Sequence, residues 1–300
     1  MSDFTCSEVN CGVWAGPLRA PRNSAADQKG SIHDDDVARK LGFRGGTVAG
    51  SLHMEQFPPL LERLLGRAWW ETGGLSLYFR FATTDLESVK CFAVAPASNL
   101  TNNATIHATA KRRIEVWMDR EDGERIADGS ACVGGPDANS ALRQRIAVAP
   151  GPTELRILAD LSVGQTCADV PVRIGHDALA ERCQVITEPS VYYTAASPWG
   201  RPALPPSLAV RAMRSVEPGL LVRSSPVVGL FGAIEVQHLA GPLFVETDYH
   251  TRGRVLAIAD TPKTEYFWYE SVLSDPATGR DCASMLMMLR FMKASSALWR

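Results

Sequence analysis

The sequence predicts an α+β chain in which one unit is used twice. Three observations lead there. A Gly-rich loop ends in Gly50-Ser51-Leu52 and opens an apolar segment of helical period; a Pro-rich loop ends in Pro206-Ser207-Leu208 and opens another, with the two serines 156 positions apart. The turn signals Asp122-Gly123 and Thr278-Gly279 each close a hairpin, and their glycines are again 156 apart. Between these landmarks, Gly74–Phe81 and Gly232–Leu239 both alternate in strand fashion. Same order and nearly constant spacing at low identity is the signature of a structural duplication. The division it suggests is 1–145 and 146–300, with Asn139–Thr153 as the linker.

Within the first unit the apolar positions Leu52, Phe57, Leu60, Leu61, Leu64 and Leu65 fit one helix face, and Gly66 is a natural stop. Pro58-Pro59 should kink or interrupt that helix. Strands are expected at Leu75–Phe81, Ser88–Val94 and Ala104–Met118. The second unit offers Ala233–Leu239, Val245–Ile258, Thr264–Leu273 and Cys282–Met292. One long helix followed by an antiparallel meander implies a sheet wrapped around the helix.

Composition narrows the function. Lys and Arg number 31 against 33 Asp and Glu, so no basic excess exists to neutralise nucleic-acid phosphates. No run of 18 apolar residues spans a membrane and no signal-peptide core opens the chain, so a cytoplasmic protein is expected. Seven scattered cysteines contain no CxxC pair, which argues against a metal knuckle or a disulfide framework. Walker, GxSxG, GxGxxG and HExxH patterns are absent. No cofactor is implied.

Chemistry concentrates between Arg22 and Gly50. His33 precedes Asp34-Asp35-Asp36, acids suited to the first turn of a short helix, with Asp34 a candidate N-cap. A loop histidine there can move a proton near neutral pH. Gly45, Gly46 and Gly50 let backbone approach a ligand, and the N–H groups near Gly50 and Ser51 can stabilise an oxyanion. His53, His107, His238 and His250 read as structural histidines. Phe267-Trp268-Tyr269 and the Met285–Met292 stripe read as core.

This stretch resembles the MaoC-like hydratase pattern: Ile32-His33-Asp-Asp-Asp-Val-Ala, then Gly42-Phe43, then Gly45-Gly-Thr-Val-Ala-Gly50 at the mouth of an apolar helix. The resemblance implies a double hot-dog fold with the active site in the first unit. His33 matches the family's catalytic histidine, and Ala49-Gly50 the pair that opens its helix. The family's acid lies five positions before its histidine. Here that place is Gln28, and Asp27 and Asn23 are the polar residues offered instead. The resemblance implies hydration or dehydration of an enoyl or 3-hydroxyacyl thioester, with Gly46, Ala49, Gly50 and Ser51 at the substrate. It also implies coenzyme A or a carrier protein as the thioester's handle, with Arg44 near the phosphates. A biosynthetic isomerase or cyclase, or a non-catalytic acyl-binding subunit, is the alternative. The second unit has no histidine at its helix mouth, so it reads as a support half, with Tyr192, Tyr193 and Trp199 lining a tunnel or packing in the core. A monomer or a homodimer fits a chain that pairs two such units internally.

Overall fold

The computed structural model describes residues 6–96, 111–221 and 226–300; His107 and part of the expected strand Ala104–Met118 lie outside them. The first half runs β1 (Ser7–Asn10), β2 (Val13–Ala15), α1 (Asp35–Lys40), α2 (Gly50–Met54), α3 (Pro58–Leu65), α4 (Ala68–Thr72), β3 (Gly74–Phe79), β4 (Val89–Val94), β5 (Arg112–Arg120) and β6 (Arg125–Val133). After α5 (Ala141–Ala147) come β7 (Thr166–Val172), α6 (His176–Cys183), α7 (Pro206–Met213), β8 (Gly229–His238), β9 (Tyr249–Asp260), β10 (Thr264–Ser274) and β11 (Asp281–Met292).

These strands form one antiparallel sheet ordered β1-β2-β4-β5-β6-β3-β8-β11-β10-β9-β7. Read outward from the central β3–β8 pair, the wings mirror each other: β6, β5, β4, β2 on one side, β11, β10, β9, β7 on the other. Left-handed Gly123 (φ 89°) and Gly279 (φ 69°) turn the two hairpins where Asp-Gly and Thr-Gly predicted them.

The expected long helix is two helices. Pro58 has no N–H to continue α2, and it opens α3 instead, a first-turn position where the missing donor costs nothing. Left-handed Gly66 ends α3. Leu52, Met54, Phe57, Leu60 and Leu61 are buried along this segment, and α7 buries Leu208, Ala209, Val210 and Met213. Each fully buried leucine contributes about 2 kcal/mol of apolar transfer energy, which is what holds short helices against the sheet.

The expected linker carries a helix. Ser140 caps α5, Ser130 Oγ accepts the Ala141 N–H (3.0 Å) and Ser76 Oγ the Leu142 N–H (3.1 Å). Leu142 is buried on the sheet face opposite the long helices, against Ala233, Trp268, Leu286 and Met288. Polar contacts also clasp the halves: Arg19 pairs with buried Glu188, and the Tyr192 hydroxyl donates to Glu62.

Where α2 meets α7, buried Glu55 accepts the Ser207 N–H (2.7 Å) at the start of α7. Burial lifts its carboxyl from the ordinary 4.5 to about 7, against the hydrogen bonding of Ser207 and the charge of Arg182. From pH 4.5 to about 7 the unfolded chain therefore loses this proton before the folded chain does. Stability falls as pH rises through that window, by about 3 kcal/mol in all. Glu55→Gln keeps the acceptor for Ser207 and has no proton to lose. Its unfolding free energy is expected to lack this decline, making it the more stable chain above pH 7. Denaturant melts of both proteins from pH 4 to 8 measure this; parallel profiles would refute it.

All seven cysteines are free thiols. Among the described residues no helix is long and apolar enough to cross a membrane.

Candidate functional site

The site begins with a cap. Asp34 accepts the Asp36 and Val37 N–H groups (2.9 and 3.4 Å) and starts α1, as the sequence predicted. Burial opposes ionisation of Asp34, but those N–H groups and the Lys29 ammonium outweigh it and lower its pKa. Ile32 and Ala38 seat this segment against Val228 of the second half.

His33, between them, is held by its neighbours on every side. Asn23 donates its side-chain amide to the His33 carbonyl (2.8 Å). Gly46 lies so close that a Cβ there would sit 2.2 Å from that carbonyl oxygen. The His33 ring places Nδ1 2.7 Å from the Thr47 carbonyl. A carbonyl can only accept, so Nδ1 carries the proton and Nε2 keeps its lone pair. Burial lowers the ring's pKa below 6.5; the Thr47 carbonyl pulls the other way, and the Arg214 charge adds to the lowering. At neutral pH His33 is therefore an uncharged imidazole with a basic Nε2.

The space beside it comes from a split in the sheet. β3 pairs with β8 only from Gly74 to Tyr78, opposite Gln237 to Ala233. Beyond that, Arg80 follows β6 through its N–H to the Ile126 carbonyl (2.8 Å), while β8 stays with β11. The strands part around a cavity of about 450 Å³ lined by both halves. The first half gives it His33, Ala49, Gly50, His53, Phe79 and Thr83; the second gives Phe231, Tyr266, Lys263, Met288, Arg290 and Met292. His33, Gly229 and Phe231 also border an open cleft of about 930 Å³ next to the cavity.

Gly50 and Ala49 line the cavity at the opening of α2. The Leu52 N–H is taken by the Ala49 carbonyl (2.9 Å), but the N-cap Ala49 has no polar side chain for the Gly50 and Ser51 N–H groups at the start of α2. A Cβ on Gly50 would lie 2.7 Å from the Phe79 ring, so only glycine lets that ring close the wall here.

Other expected site residues lie elsewhere. Asp27 is exposed in a turn and makes no bond to His33. Asn23 holds the backbone of His33 and not its ring. Gly46 gives its N–H to Asp35 (2.7 Å), so that group is not available to a ligand. Arg44 forms a two-pronged pair with Glu87 (2.5 and 2.7 Å) and does not line the cavity. Ser51 is outside the lining as well. Tyr192, Tyr193 and Trp199 do not line a tunnel. Trp70 packs edge-on against Tyr192 and Tyr193 (5.3 and 6.0 Å between ring centres), and Tyr192 meets Trp199 at 5.3 Å. At the mouth of α7, the mirror-image position, Trp69 and Trp70 line a space of only about 10 Å³, and the rings of Tyr192, Tyr193 and Trp199 lie outside its wall.

Sequence reasoning read His53 as a structural histidine and did not single out Thr83; both line the cavity. His53 is fully buried on α2, three residues into the helix, and its Nε2 lies 2.7 Å from the Thr83 hydroxyl. Burial drives its pKa down to about 4, so it is neutral, and its Nδ1 has no partner. The one available signal was its position a helical turn beyond Gly50. Among the described residues no Asp or Glu lines the cavity, and no three His, Cys, Asp or Glu side chains gather to hold a metal.

No family model matches the sequence, and no curated protein does. Solved structures do share its shape. A putative MaoC domain protein dehydratase from Chloroflexus aurantiacus aligns over 97% of this chain and 98% of its own, with TM-score 0.61 and 11% identity. A conserved hypothetical double-hotdog protein from Mycobacterium tuberculosis covers 97% and 96% (TM-score 0.57, 13% identity), and a MaoC-like dehydratase 96% and 97% (TM-score 0.54, 11% identity). Mirrored strand order, two helix mouths facing a common sheet and end-to-end superposition on these structures agree: the chain has the double hot-dog fold.

Proposed function

We propose that this protein is a hydratase or dehydratase of enoyl or 3-hydroxyacyl thioesters. One observation carries the reading: a neutral imidazole, with Nδ1 tied to the Thr47 carbonyl and Nε2 free, borders a ligand-sized cavity that also reaches the opening of α2. The fold shared with MaoC-domain dehydratases supports it.

In the hydration direction, Nε2 of His33 takes a proton from water as the water oxygen bonds to the β-carbon. The electron pair of the Cα–Cβ double bond shifts towards the thioester carbonyl, whose developing oxyanion faces the N–H groups at Gly50. The imidazolium then returns its proton to the α-carbon. One base serves both transfers, which suits a wall without carboxylates. Thr83, whose hydroxyl pairs with His53, and Thr47 are among the polar residues on the same wall.

The same wall favours a second reading. A lone imidazole can shuttle a proton between two carbons, so an isomerase is the alternative. One assay tests both. The wild-type chain is incubated with crotonyl- and longer enoyl-thioesters, following enoyl absorbance and product mass. Hydration consumes absorbance and adds the mass of water; isomerisation changes neither sum formula nor mass. If no enoyl thioester is turned over, the hydratase reading is withdrawn. Asp27→Ala is expected to keep wild-type turnover, because this side chain makes no bond to His33.

A further inference from the structure

The cavity wall carries charge of one sign. Arg80, Lys263 and Arg290 line it, with no carboxylate among the lining residues. Arg80 is already spent, since its Nε donates to Asp128 (2.5 Å). Arg290 is different. On β11 its neighbours Leu289 and Phe291 belong to the helix-side core, whereas Met288 belongs to the cluster beneath α5. Arg290 therefore points to the face away from the helices, so the cavity runs through the parted strands, from His33 on one face to Arg290 on the other.

The Arg290 contacts are all neutral. Nη2 donates to the Tyr78 hydroxyl (2.7 Å), Nε lies 3.1 Å from the Met288 sulfur, and the guanidinium stands over the Tyr78 ring (5.3 Å to its centre). Arg145 stands over that ring too, at 3.9 Å, and shares the one Asp128 carboxylate (3.3 Å) with Arg80. Among the described residues no carboxylate pairs with Arg290 or Lys263. A guanidinium has five donors in a planar fork, and a half-buried one held only by neutral partners is incompletely compensated. The fork matches the two oxygens of an oxyanion.

We propose that Arg290 and Lys263 form an anion subsite at the end of the cavity opposite His33. The ligand it takes carries an oxyanion: a carboxylate on the acyl chain or a phosphate of the thioester's carrier. This deepens the proposed function by adding a charge to the substrate, and it rests on that reading only for the identity of the cavity as the ligand site.

The test needs no turnover. The full chain and its variants are titrated calorimetrically with glutarate, a carboxylate probe, and with inorganic pyrophosphate, a phosphate probe. Wild type is expected to bind at least one. Arg290→Met is expected to weaken that anion about tenfold or more, the usual worth of a charge-assisted hydrogen-bond pair. Arg290→Lys, which keeps charge but loses the fork, should lie between them. Lys263→Gln, on an exposed turn, should weaken binding by a smaller factor without touching the Tyr78 contact. A response confined to glutarate assigns the anion to the acyl chain; one confined to pyrophosphate assigns it to the carrier. If wild type binds neither anion, or if all three variants bind as wild type does, the subsite is overturned. A chain that binds an anion but hydrates no thioester loses the proposed reaction and keeps the subsite. A chain that hydrates thioesters with no anion response loses the subsite alone.

Discussion

His33→Ala is expected to lower kcat for enoyl-thioester hydration by about 10²–10⁴-fold, the span that a positioned general base supplies. The thioester's contacts at Gly50 and along the cavity stay in place, so KM should change far less. The ring makes one hydrogen bond, to the Thr47 carbonyl, so thermal stability should fall only modestly. The pH profile gives a second readout. Burial holds the pKa of His33 below 6.5, and the base works only when neutral. Wild-type kcat/KM should therefore be full at pH 7 and decline as pH drops through the His33 pKa, with a limb that His33→Ala lacks. Steady-state rates from pH 5 to 8 decide the matter. An alanine variant with wild-type rates would mean that the proton moves elsewhere.

Gly46→Ala is expected to damage fold and chemistry together. Its methyl carbon would lie 2.2 Å from the His33 carbonyl oxygen and 3.0 Å from the Asn23 amide nitrogen. The nearer atom is backbone and cannot swing aside, so the loop between Asn23 and Thr47 must move. Overpacking of this kind costs about 3 kcal/mol, a drop of several degrees in Tm for a chain of this size. The shift also loosens the seat of His33 on Thr47, so kcat should fall in the protein that remains folded. Gly151→Ala is the control: nothing lies within 4 Å of a methyl group there. Thermal melts and initial rates of both variants check the contrast; matching melts would show that the loop yields more easily than the geometry implies.

Local pattern made much of this legible. Apolar pattern located β8 to β11 to within a few residues: β9 and β10 alternate in part, and β8 and β11 are apolar runs buried along most of their length. The Asp-Gly and Thr-Gly turns were readable because a hairpin needs a left-handed residue there. His33, Ala49 and Gly50 were found because a single loop and its following helix hold them in one stretch of sequence. Asp27 was misplaced for the same reason in reverse. It is near His33 along the chain, but the turn that returns the Lys29 N–H to the Asp27 carbonyl (2.9 Å) leaves its side chain in solvent. Arg290, Tyr266 and Lys263 lie more than 200 positions from His33 and reach the cavity only because β3 and β8 part. Alternation reports which face a residue takes and is silent on where two strands separate. Tyr192 and Trp199 show a further limit: large aromatic rings near a helix mouth serve equally well to line a hole or to pack behind its wall, and here they pack behind Trp70, which plugs it.

That plug sets the arithmetic of occupancy. Two-fold assemblies of identical units offer a pair of equal vestibules, and filling the first can alter the second. Here Trp69 and Trp70 fill one vestibule, so a titrated chain should saturate that pair of positions at a single equivalent along a plain hyperbola. Any sigmoidal response would then have to arise between polypeptides. With one vestibule filled, the residues around it answer only to packing, while those around His33 line an open cavity.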